Sequence, residues 1–136
     1  MIPQRNISLL SNRLAYEEFA DLPENRLIQV YSLAEIATEK TIALADRARN
    51  EPRDLYDLWH LTSKEGVELA TLLDAVRQKL EFRGKPFGGI AAAIRTKEAR
   101  LRALWPRRLA YQMSILPEFD EVFRAVQRTL RQANLP

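Results

Sequence analysis

The stretch Ser32–Thr62, SLAEIATEKTIALADRARNEPRDLYDLWHLT, decides how the chain folds. It reads as two helices joined by a short break. Leu33, Ile36, Ala37 and Leu44 recur at the spacing of a buried helical stripe. Lys40 and Arg47 occupy the same stripe, and Lys40 points within about 20° of Leu33 at the helical angle per residue. Glu35, Glu39 and Asp46 mark the opposite, solvated face. A lysine among apolar neighbours is costly unless it is paired. The second helix offers Asp54 and Asp57, three residues apart and therefore on one face. A short connection makes the two helices antiparallel neighbours, which can bring Lys40 to the aspartates.

Outward from this stretch, the pattern predicts a mainly α (α+β) fold. Five or six helices form a bundle, with one or two short N-terminal strands. Ile7-Ser8-Leu9 reads as a short strand, Leu22–Asn25 as a turn, and Arg26–Tyr31 as a second strand with Ile28 and Val30 on one face. Ser32-x-x-Glu35 has the form of a capping box, which starts the first long helix at Leu33. Asn50 or Glu51 caps the next helix, with Pro52 at its first position. A third helix is expected over Glu68–Phe82, with Gly84 just past its end. A fourth is expected over Ile90–Leu104, with Lys97 within its apolar face. Pro106 interrupts that pattern, Arg107–Met113 suggests a further short helix, and Pro117 opens the last one. That last helix carries Phe119, Val122, Phe123, Val126 and Leu130 as its stripe. The sequence divides into residues 1–31, a remnant of an α/β region whose short strands belonged to a larger sheet, and residues 32–136, a helical domain.

A chain of 136 residues supports one domain with its own core. There are no cysteines, so disulfide frameworks, thiolate metal sites and a cysteine nucleophile are excluded. His60 is the only histidine and reads as a surface residue; Trp59 and Trp105 read as core anchors. No apolar run approaches the roughly 20 residues of a membrane helix. A cytoplasmic protein with no membrane partner is the expectation. Net charge is +3 but uneven: residues 1–68 carry 8 Lys/Arg against 12 Asp/Glu, and residues 69–136 carry 13 against 6. The basic second half suggests a polyanion-facing surface, and a solvated arginine-rich face reads equally well.

Lys40 with Asp54 and Asp57 is the one constellation of catalytic character. A lysine can hold an NTP phosphate as a point charge, and a neighbouring carboxylate can orient it, hold a metal or assist a nucleophile. The competing reading is an ion pair that locks two helices together. The residues Glu39-Lys40-Thr41-Ile42-Ala43-Leu44 with Arg47, followed by Pro52-Arg53-Asp54-Leu55-Tyr56-Asp57-Leu58-Trp59, resemble the C-terminal signature of AbiEii/AbiGii-type nucleotidyltransferase toxins. The resemblance covers most of the chain from about Leu14 onward and is sharpest over Lys40–Trp59. It implies that Lys40 belongs to a nucleotide site, with Arg47 and Arg53 as further phosphate contacts. It also implies a catalytic role for Asp54 or Asp57, Mg²⁺ with NTP in the complete enzyme, and an antitoxin partner.

The sequence departs from that family in one respect. Its members carry an upstream Gly-Ser turn and a D-x-D pair that holds the metals. None of Gly66, Gly84, Gly88 and Gly89 is followed by serine, and no D-x-D occurs. The chain therefore resembles a C-terminal portion, inactive by itself and completed by a missing N-terminal nucleotidyltransferase half. Gly88-Gly89 follow no strand and are punctuation, not a phosphate cradle. Arg95, Arg100, Arg102, Arg107 and Arg108 form a basic group able to track an RNA backbone, and tRNA is the partner that the resemblance implies. The alternative function is a non-catalytic helical module that binds RNA or a protein.

Overall fold

The computed structural model describes residues 23–135, with side chains from Ser32 onward. Six α-helices follow one another: α1 (Pro23–Ala45), α2 (Pro52–Ser63), α3 (Leu73–Phe82), α4 (Ile90–Arg95), α5 (Glu98–Leu109) and α6 (Phe119–Gln132). A 3₁₀ turn, Leu69–Leu72, leads into α3. The mainly helical expectation holds, and no strand occurs among the described residues. The strand expected at Ile7–Leu9 lies outside them.

The strand expected over Arg26–Tyr31 is instead the first part of α1. The reason is hydrogen bonding. A lone strand leaves its backbone groups without partners, whereas a helix satisfies them internally. The boundary drawn between residues 31 and 32 accordingly falls inside α1. Ser32 is buried in mid-helix, and Glu35 does not cap a helix start; it pairs with Lys79 on α3 at 2.8 Å. Thr38 and Thr41 are also buried in α1. Their hydroxyls donate to the carbonyls of Ala34 and Ala37, four residues back, at 2.9 and 2.8 Å. That local bonding lets polar side chains sit in the interior.

α1 stops at a turn in which the Asp46 carboxylate accepts from the Ala48 N–H at 3.0 Å. Glu51 then caps α2 through the Arg53 N–H, with Pro52 at the first helical position as expected. α2 is the central element and packs on α1, α5 and α6. Leu55 and Leu58 are wholly buried there, beside Leu44 of α1, Leu101 of α5 and Val122 and Val126 of α6. Each such side chain contributes about 2 kcal/mol by leaving water. Trp105 is buried, meets Phe119 edge-on and donates its ring N–H to the Pro117 carbonyl at 2.9 Å. Trp59 is only partly covered and lies beneath the Lys64 ammonium.

The helix ends follow local chemistry. Gly84 adopts φ +69°, and Lys85 N–H bonds Leu80 carbonyl while Gly84 N–H bonds Glu81 carbonyl, closing α3 in a Schellman motif. The helix expected over Ile90–Leu104 is two helices, parted at Thr96–Lys97, where the Lys97 N–H bonds only three residues back, to the Ile94 carbonyl at 3.1 Å. Pro106 does not end α5; it lies inside, and the helix runs on to Leu109. The short helix expected over Arg107–Met113 is not formed, since residues 107–109 complete α5 and turns follow. None of the described helices is long and apolar enough to cross a membrane.

Candidate functional site

The antiparallel contact of α1 and α2 brings the sequence-predicted cluster together. Lys40 Nζ lies 3.2 Å from Asp54 Oδ1 and 3.0 Å from Asp57 Oδ2. Asp54 is 1 % exposed, at the first turn of α2, where the helix dipole favours a negative charge. Lys40 keeps about a quarter of its side chain in contact with solvent. The lysine is therefore half-buried and paired, as its place on the stripe of α1 requires.

Arg49 is the partner that sequence reasoning missed. Its Nε donates to Asp54 Oδ2 at 2.6 Å and its Nη2 to Oδ1 at 3.3 Å. The Asp54 hydrogen bond, then its charge, raises the Arg49 guanidinium above its ordinary value. The stripe of α1 ends at Ala45, so helical periodicity says nothing about Arg49. The usable signal was its position in the turn just ahead of the α2 N-terminus. Arg53 holds Asp57 from the other side, Nε to Oδ1 at 2.8 Å, and also bonds Gln112.

These groups open onto a cleft of about 1210 Å³ between α1, α3, α4 and the turns at 46–49 and 85–89. Lys40, Arg47, Asp54 and Asp57 line it, together with Arg49; Arg53 does not, and belongs to a smaller depression with Tyr56 and His60. Arg47 is exposed and has no ion-pair partner among the described residues. The far wall carries Lys79, between Glu35 and Glu39 at 2.8 and 3.0 Å, and Arg83, 3.0 Å from Glu39. Burial by itself would raise the Glu39 carboxyl, but hydrogen bonds from Lys79 and Arg83 bring it below its ordinary value. Gly88 and Gly89 line the cleft, and Gly89, at φ +80°, precedes α4.

The donor set decides what the cleft can hold. Both Asp54 oxygens and both Asp57 oxygens face cations: Lys40 and Arg49 on one, Lys40 and Arg53 on the other. A divalent ion there would compete with three fixed positive charges, so this carboxylate pair does not fit Mg²⁺. No other group of three or more His, Asp or Glu among the described residues is arranged for a metal. An anion fits better. The Lys40 ammonium has three N–H donors and the Arg49 guanidinium five, and the carboxylates engage only part of each.

The predicted RNA-facing arginines lie elsewhere and divide into two kinds. Arg102 bonds Glu98 and Asp120 and stacks on Phe119, and Arg108 bonds Glu51 at 3.0 Å. Arg95, Arg100 and Arg107 are exposed with no acidic partner among the described residues. The break at Thr96–Lys97 also separates Arg95 on α4 from Arg102 on α5, so they do not share one helix face. Arg124, Arg128 and Arg131 on α6 are also exposed, with no acidic partner among the described residues.

The geometry separates the roles of Lys40 and Asp54 in folding. Asp54→Ala releases Arg49 and leaves Lys40 to Asp57 alone, and because both cations keep contact with solvent it costs about 1.5–3 kcal/mol, the scale of hydrogen bonds to a charged group. Lys40→Met leaves Asp54 held by Arg49 and costs about 1 kcal/mol or less. Urea denaturation of the two variants against the parent chain measures both.

Searches of characterised proteins and of solved structures return no significant match. A family model does match, over residues 7–125, and it spans the Lys40–Asp54 cluster and every helix through the first half of α6. The chain belongs to the AbiEii nucleotidyl transferase toxin family of type IV toxin–antitoxin systems.

Proposed function

We propose that this chain provides the phosphate-binding side of a nucleotidyltransferase site that uses an NTP and modifies RNA, with tRNA as the acceptor. The observation that carries the proposal is the cationic cluster gathered by one buried carboxylate. Lys40 and Arg49 are both held by Asp54, and Arg47 stands at the same cleft with no acidic partner among the described residues. Lys40 then acts as a point charge on the triphosphate, and Arg47 and Arg49 as planar forks. Asp54 and Asp57 orient these cations. Arg53 acts on the site through Asp57.

Mg²⁺ accompanies the NTP in the complete enzyme. Its carboxylate ligands come from a D-x-D segment that this sequence does not contain, on a nucleotidyltransferase half that partners it. An antitoxin counteracts the assembled toxin. A non-catalytic RNA-binding bundle is the second reading. It is favoured by one observation, that both cleft carboxylates at the α1–α2 contact are neutralised by cations.

Calorimetry with ATP in the absence of divalent ions tests the phosphate site. The parent chain binds, and Lys40→Met weakens binding at least about tenfold, or ~1.4 kcal/mol. No binding, or equal binding by the variant, removes the nucleotide reading and leaves the bundle. For RNA, the informative variant is Arg100→Glu/Arg107→Glu, since both side chains are exposed and unpaired. In a salt titration of tRNA binding followed by fluorescence anisotropy, it flattens the slope of log K against log salt by roughly 0.7–0.9 per lost phosphate contact. An unchanged slope and affinity make these arginines a solvated face.

A further inference from the structure

Lys97 is 5 % exposed, yet no carboxylate among the described residues lies within ion-pair distance of it. Its Nζ donates to two backbone carbonyls instead, Ala43 O at 3.3 Å and Arg49 O at 2.5 Å. Ala43 lies in the last turn of α1, at the negative end of the helix dipole, and its carbonyl also accepts from the Asp46 N–H at 3.2 Å. Arg49 lies just before α2. One ammonium thus ties together the two ends of the turn that carries Arg47 and Arg49 into the cleft. Burial pushes the Lys97 ammonium below its ordinary value, while the charges of Asp46 and Asp54 draw it back and that of Arg49 opposes them. The ammonium is buried at the break between α4 and α5.

We propose that Lys97 is a positioning residue for the cleft: its ammonium pins the Arg49 backbone, and so fixes the guanidinium on Asp54 and, through Asp54, the orientation of Lys40. The chain of contacts is direct. Lys97 Nζ reaches Arg49 O, Arg49 Nε reaches Asp54 Oδ2, and Asp54 Oδ1 receives Lys40 Nζ. The consequence for triphosphate affinity rests on the function proposed above; the pinning does not, and it is measured without ligand.

The experiment compares the parent chain with Lys97→Met by carbon-detected NMR of the arginine Nε–Cζ groups. In the parent chain Arg49 gives a signal distinct from those of exposed Arg95 and Arg107. In Lys97→Met the amide spectrum keeps its dispersion while the Arg49 signal moves to the exposed-arginine position. An Arg49 signal that stays in place in a folded variant overturns the proposal. If Lys97→Met does not fold, the parent chain decides by titration. The Arg49 signal then moves with the Lys97 Cε signal at one midpoint, below the ordinary lysine value of 10.5. Lys97 titrating while Arg49 remains fixed overturns the proposal. ATP affinity forms a separate arm. With Arg49 released, it falls about tenfold, the scale on which outer partners tune the groups they hold. A released Arg49 with unchanged ATP affinity supports the pinning and counts against the phosphate site instead.

Discussion

A buried carboxylate, Asp54, is the constraint on which the rest depends. It lies at the start of α2 with 1 % of its surface exposed, and such a charge is tolerable only when its oxygens are fully engaged. Lys40 from α1 and Arg49 from the intervening turn meet that need from two directions. The carboxylate therefore fixes how α1 crosses α2, and it fixes the turn between them. Removing either cation leaves the other in place, whereas removing the carboxylate releases Arg49 and leaves Lys40 to Asp57 alone.

The same arrangement gives the cleft its chemical character. The acidic groups are spent on holding cations, and the cations retain donors that face the opening. The far wall repeats the device, with Lys79 and Arg83 set against Glu35 and Glu39. On the function proposed above, such a surface receives an anion and orients it, which is the phosphate side of a nucleotidyl transfer.

Much of this was legible in the sequence, because helical periodicity carries side-chain direction as well as helix position. It put Lys40 on the stripe of Leu33 and Leu44, and the three-residue spacing put Asp54 and Asp57 on one face of α2. Gly84 was legible as a helix terminator because only its positive φ closes the Schellman motif cheaply. The stripe of α6 was equally plain. The signals failed where local patterns had two physical outcomes. Ile28 and Val30 alternate as in a strand, yet no partner strand exists among the described residues and the helix of α1 continues through them. Ser32-x-x-Glu35 matches a cap, but Glu35 answers to Lys79, forty-four residues away. The turn residue Arg49 and the broken helix at Lys97 were hidden for a different reason. Both depend on tertiary contacts, to Asp54 and to the carbonyls at the end of α1, that no period encodes.

The measurement that tests the account most directly is titration of the labelled chain with Mn²⁺ alone, followed by paramagnetic broadening of the side-chain carboxyl carbons. The account predicts that Asp54 and Asp57 stay sharp, since Lys40, Arg49 and Arg53 already hold their oxygens. Selective broadening of those two carboxyls, ahead of the exposed acids, would contradict it and make this pair a metal site.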